Sequence, residues 1–222
     1  MITLKYYKKD TAVYFSHIDI LRHMNRTFRR SGINVEFSQG FNPHMLTKLG
    51  IPLPLAIYSS CEYVTVQTDE DPEEFLRKYN QACVKGLEGI KAFKVSKNPN
   101  LAGTVVYADY SIKAEPGDKS KEIESIINQK SFVVDYPTRK EPDKKRDIVP
   151  DTVAIRCYPD SINVCINAVN MRADVLASSF ERAFGVKTDK NAIWRYCQYV
   201  RQNGVLTPVD DYLESLSQNE KR

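Results

Sequence analysis

Apolar and polar positions change their spacing along this chain, and each change marks an element. Leu4–Phe15 concentrates aromatic and β-branched residues (Tyr6, Val13, Tyr14, Phe15), the pattern of a strand or of a strand pair turning near Lys9-Asp10. Ser16 and Asp19 form a capping box, and Ile20, Leu21, Met24 and Phe28 keep helical spacing to about Arg30, where Gly32 ends the helix. Ile33–Phe37 predicts a short strand. Pro52 and Pro54 keep the segment up to Ile57 out of a sheet interior. Glu62–Thr68 alternates as a strand, Asp71-Pro72 opens a helix through about Val84, and Ile90–Val95 predicts a further strand. The order β-α-β-β-α-β is the ferredoxin-like one.

Ser96–Asn100 reads as a linker, and a second pass follows. Val105–Ile112 alternates as a strand, Lys121–Gln129 has helical spacing, and Phe132–Tyr136 predicts a strand. Glu141–Arg146 is a charged loop. Thr152–Cys157 and Ile162–Ala168 predict two strands joined by Tyr158-Pro159-Asp160-Ser161, and Ala173–Phe184 a helix ended by Gly185. Ile193, Trp194, Cys197 and Val200 predict a helix over Thr188–Arg201, with a last short helix over Pro208–Leu216 and a polar, fraying end at Ser217–Arg222. The expected fold class is therefore α+β: tandem ferredoxin-like halves, residues 1–98 and 99–186, with a helical C-terminal extension over residues 187–222.

Composition narrows the function classes. The longest apolar run without charge, Ile51–Cys61, is too short to span a bilayer, and Met1–Lys5 carries no signal pattern. A cytoplasmic protein without a membrane role is expected. The five cysteines are odd in number and none has Cys-x-x-Cys spacing, which argues against a disulfide framework, a zinc ribbon or an iron–sulfur site. Neither metal nor cofactor is expected on this chain. A net charge of +4 permits nucleic acid without requiring it. P-loop, Rossmann and Gly-x-Ser-x-Gly motifs are missing from the sequence.

Candidate chemistry concentrates in Phe37-Ser38-Gln39-Gly40-Phe41-Asn42-Pro43-His44. Gly40 permits backbone conformations closed to other residues, and Pro43 biases Asn42 toward an extended one. Gln39 and Asn42 offer amides to a polar ligand, and His44 offers an acid/base or phosphate-holding imidazole. The alternative is a loop packed for structure. Arg22, Arg26 and Arg29 share a helix face with Arg30 one position round, and Lys48 could join them; such a stripe suits phosphate or simply solvent. His17 sits in the capping turn, where the helix dipole disfavours its charged form. His17, His23 and His44 with Glu62 show no metal-ligand spacing. Tyr6, Tyr7, Tyr14, Tyr107 and Tyr110 could stack bases on an open sheet face or pack inside it.

Phe15-Ser16-His17-Ile18-Asp19, Phe28-Arg29-Arg30-Ser31-Gly32, the Phe37–His44 stretch and Pro52-Leu53-Pro54-Leu55 closely resemble the radical SAM-linked family, a bacterial domain of unknown function. That domain occurs alone or fused behind radical-SAM, cobalamin-type domains. The family pattern has Gly after Pro-Leu-Pro-Leu, where this chain has Ala56. The resemblance implies a radical-SAM protein as partner and a link to RNA modification. The leading expectation is a non-catalytic module that binds tRNA or rRNA for such a partner. Arg22, Arg26, Arg29, Arg30 and Lys48 would hold phosphate, and Gln39, Gly40, Asn42 and His44 the ligand. The alternatives are a phosphoester-cleaving enzyme using His44 with His17, and a protein–protein adaptor.

Overall fold

A computed structural model describes residues 1–218 and divides the chain into unit one, Met1–Val105 with Tyr199–Arg222, and unit two, Val106–Gln198. The elements are β1 (Ile2–Lys8), α1 (His17–Arg30), β2 (Thr47–Leu49), β3 (Tyr58–Val66), α2 (Pro72–Ala82), β4 (Gly89–Lys94) and a short α3 (Leu101–Thr104). Then come β5 (Val105–Glu115), α4 (Ser120–Glu124), β6 (Val133–Asp135), β7 (Lys145–Asp147), β8 (Thr152–Tyr158), β9 (Ser161–Asn167) and α5 (Ala173–Phe184). The chain closes with β10 (Lys187–Gln202), β11 (Val205–Pro208) and α6 (Val209–Gln218). The fold is mixed α/β.

In unit one, β1 and β2 both pair antiparallel with β3, and β4 pairs with β1, giving the order β4-β1-β3-β2. Side chains alternate along these strands, so Ile2, Leu4, Tyr6, Val64 and Val66 share one face, and α1 and α2 cover it. α1 forms because Ser16 caps it, accepting from the Asp19 amide at 3.2 Å, and because Ile20, Met24, Thr27 and Phe28 recur on its buried stripe. α2 starts at Asp71, whose carboxylate accepts from the Glu73 and Glu74 amides, with Pro72 in the first turn. Phe28 meets the rings of Phe75 and Tyr79 at 5.8 and 5.9 Å. Tyr79 is fully buried and its hydroxyl donates to the Leu87 carbonyl at 2.7 Å. On the other face, α6 docks through Asp210, which accepts from Lys5 at 2.6 Å and from the Tyr63 hydroxyl at 2.7 Å.

Unit two repeats the strand order as β10-β5-β9-β8. Ala108, Tyr110, Ile112, Ile155, Ile162, Val164 and Ile166 are buried on one face by the β5–β9–β8 register. α4 packs on β8 and buries Ile123, while α5 buries Leu176, Ala177 and Phe180. β6 and β7 form a separate two-stranded ribbon.

Several expectations change. The helix expected over Thr188–Arg201 is strand β10, so residues 187–202 are not a helical extension. Ile193 and Arg195 are buried at one parity of the strand and Gln198 and Val200 at the other, so no single apolar alternation marks it and a helix-like spacing is left behind. β1 ends at Lys8, and Asp10–Tyr14 forms a 3-10 turn rather than strand. Ile33–Phe37 alternates in burial but makes only one bridge, Phe37 to Met45. The helix expected over Lys121–Gln129 is α4 followed by a 3-10 turn, and the charged loop contains β7. The short C-terminal helix is α6; of the polar end, residues 219–222 lie outside the described residues.

Two backbone positions give opposite predictions. Ala56 adopts φ +62°, a left-handed conformation in which a Cβ is strained, while its amide donates to the Val13 carbonyl. Gly86 adopts φ +92°, and a Cβ there would meet the Lys9 carbonyl oxygen at 2.3 Å. Ala56→Gly is expected to stabilise by about 0.5–1 kcal/mol and Gly86→Ala to destabilise by about 2 kcal/mol or more, both read from urea unfolding midpoints.

Candidate functional site

The Phe37–His44 stretch is the tip of a hairpin-like projection. Its base is fixed by the Phe37–Met45 bridge and by the Leu46 amide donating to the Glu36 carbonyl at 2.9 Å. Above the base, the Ser38 amide donates to the His44 carbonyl at 2.9 Å and the His44 amide to Ser38 Oγ at 3.1 Å. Ser38 Oγ also lies 2.8 Å from His44 Nδ1, which fixes the imidazole against the loop. Gly40 at φ +123° turns the chain in a conformation open essentially to glycine alone. Gln39, Gly40, Asn42 and His44 are all exposed, and Phe41 is fully so. Met45 anchors the projection in the core.

The projection is tied to α1. Thr47 Oγ1 donates to Asn25 Oδ1 at 3.0 Å, joining β2 to the helix that carries the arginines. On a helix, Arg22 and Arg29 lie three residues before and four after Asn25, so they flank this tie. Arg22 faces Asp19 at 3.4 Å, whereas the exposed Arg26 and Arg29 side chains have no hydrogen-bond or ion-pair partner among the described residues. Arg30 is engaged structurally, donating to the Ala82 carbonyl at 2.9 Å and to Thr27 Oγ1 at 3.2 Å. Lys48 does not join the stripe. It pairs with Thr65, whose hydroxyl meets Thr3 on the sheet face opposite Val64 and Val66, so strand alternation turns it away from α1.

His23 stacks on Phe15 with ring centroids 4.6 Å apart, and His44 sits on the hairpin tip. Among the described residues, no group of three or more His, Cys, Asp or Glu side chains is arranged to hold a metal ion. His17 occupies the first position of α1, and burial lowers its pKa, with Lys8 adding to the effect and Glu62 opposing it. Lys8, at the end of β1, and Glu62, in the middle of β3, are themselves buried; Tyr6 pairs with Glu62 and Lys8 with Ser59. Sequence reading named His17 and Glu62 but missed Lys8; the signal available was an inward strand parity shared with Leu4 and Tyr6. A second missed feature is exposed apolar surface: Tyr14 (66%), Ile18 (61%) and Leu55 (56%). The Ala56–Val13 hydrogen bond brings the Leu55 loop to the turn carrying Tyr14.

Residues 1–180 match the model of a family described as an uncharacterized protein conserved in bacteria (DUF2344). No curated protein matches the chain. No helix among the described residues is long and apolar enough to cross a membrane.

The His17 environment has a defined pH signature. A lowered folded pKa means that the unfolded chain binds more protons, so the stabilising contribution is complete above the ordinary value of 6.5 and is lost as pH falls through the folded pKa. NMR titration of His17 should give a midpoint below 6.5. Glu62→Gln should lower that midpoint further and Lys8→Met should raise it. His17→Gln should flatten the loss of stability on acidification, measured by unfolding at neutral and mildly acid pH.

Proposed function

The chain belongs to this uncharacterized bacterial family, and we propose that it is a non-catalytic RNA-binding module. The carrying observation is Phe41, a fully exposed aromatic held at the tip of a braced projection between Gln39 and Asn42. An exposed ring in that setting is suited to stack on an unpaired base, and the flanking amides suit base edges. Arg26 and Arg29, on the helix tied to the same projection, suit the phosphate backbone. The orders β4-β1-β3-β2 and β10-β5-β9-β8 support reading each unit as ferredoxin-like. Phosphoester cleavage by His44 gains no support from its position, because its ring lies in open solvent.

A second reading, a protein–protein adaptor, is favoured by one observation: the exposed Tyr14, Ile18 and Leu55 side chains. The radical-SAM protein implied by the sequence resemblance is the partner proposed for that patch. The two readings are compatible, since the patch and the projection are distinct parts of unit one.

Phe41→Ala is expected to weaken binding of total bacterial tRNA roughly tenfold while leaving the unfolding midpoint unchanged. Arg26→Glu is expected to weaken it most at low salt and to flatten the salt dependence. Fluorescence anisotropy against a salt series reads both effects. Wild-type affinity in both variants removes the projection and the arginine helix as the RNA site.

A further inference from the structure

Unit two has a second sheet face that the hairpin reading leaves unused. The register puts Tyr107, Asp109, Ser111 and Lys113 of β5 on it, opposite in parity to buried Ala108, Tyr110 and Ile112. From β9 it receives Ser161, Asn163, Cys165 and Asn167, and from β8 Arg156 and Tyr158. Arg156–Asn163–Ser111 and Tyr158–Ser161–Lys113 are therefore two adjacent cross-strand rows, about 7 Å apart along the strands. Tyr196 of β10 lies close to it: burial and the Asp109 carboxylate push its pKa to about 12, with Cys165, Cys197 and Tyr158 also acting on it. Its hydroxyl is thus neutral near pH 7. Tyr158 (50%) and Tyr196 (40%) remain exposed, as does Arg156.

This face is neither apolar nor inert. Two tyrosine rings with free surface stand among an amide, a guanidinium and an ammonium, and the one carboxylate that β5, β8 and β9 place there is Asp109. Asn163 Oδ1 is buried and accepts no hydrogen bond among the described residues. A protein-docking face has an apolar centre with aromatics and few charges. Rings interleaved with amides and cations on an open antiparallel sheet instead match the chemistry of unpaired bases, which stack on aromatics and are read along their polar edges.

We infer that the Tyr158–Tyr196 face of unit two is a second RNA site, which stacks unpaired bases of a single strand while Arg156 and Lys113 meet its phosphates. The inference rests on the RNA-binding reading and extends it to a different unit. Labelled oligouridine and oligoadenosine, with an RNA duplex and the matching DNA strands as controls, are titrated against the full chain. Tyr158→Ala with Tyr196→Ala is expected to lose roughly tenfold or more in affinity for the single strands and little for the duplex. Tyr158→Phe with Tyr196→Phe keeps the rings and is expected to retain binding. Photocrosslinking of thiouridine-substituted RNA to the wild type, mapped by mass spectrometry, should mark Tyr158 or Tyr196 and needs no folded variant. Unchanged affinity in the alanine pair, or crosslinks confined to the hairpin, overturns this inference and leaves the hairpin reading standing. Loss in the alanine pair with none in Phe41→Ala does the reverse. A wild type that binds no RNA overturns both.

Discussion

Period-two alternation along β3 is the constraint on which unit one depends. Val64 and Val66 must point toward α1 and α2, because Phe28, Phe75 and Tyr79 form their core on that side. The same alternation sends Tyr63 and Thr65 the other way, toward Asp210 of α6 and toward Thr3. A slip of β3 by one residue would turn Tyr63 and Thr65 toward the core and expose the core valines. The register also fixes β2, and with it the direction in which the projection leaves the sheet. Thr47 faces Asn25 of α1, so the projection starts from the edge of the sheet beside the arginine helix.

The strands of the two units use their second faces differently. In unit one α6 covers that face with a charge-assisted clamp, Lys5 and Tyr63 converging on one carboxylate. In unit two the corresponding face keeps tyrosine and arginine at the surface. Both expose aromatic surface, but by different devices. In unit one a glycine at φ +123° and a serine–histidine brace hold a ring away from the body. In unit two the pleat alone presents the rings. A projecting ring is suited to enter a loop or bulge, whereas a flat face is suited to a strand laid across it.

What the sequence made legible follows from how local each signal is. The Ser16–Asp19 box and the Ile20–Met24–Phe28 stripe are complete within one helix, so α1 could be read residue by residue. The exposure of Gln39–His44 was legible for the same reason: Gly40 and Asn42-Pro43 punctuate a turn locally. β10 was not, because its inward positions include Arg195 and Gln198, whose burial is a tertiary matter. Lys48 was misplaced because its face is set by pairing with Thr65, a partner on another strand. Tyr110 and Tyr107, three residues apart, illustrate the limit. One is core and the other belongs to the opposite face, and only the β5–β9 register separates them.

Strain in unit one is placed where it does not serve packing. Ala56 holds a left-handed backbone beside exposed Leu55, and its amide reaches Val13, the neighbour of exposed Tyr14. A glycine would relieve that strain, so the alanine is kept at a cost of about 1 kcal/mol. Two unfavourable features therefore coincide: an apolar patch in water and a strained turn supporting it. Stability alone explains neither. Alanine narrows the turn's conformational freedom where glycine would widen it. The turn is also tied to β1, because the Lys8 ammonium donates to the Pro54 carbonyl at 3.5 Å.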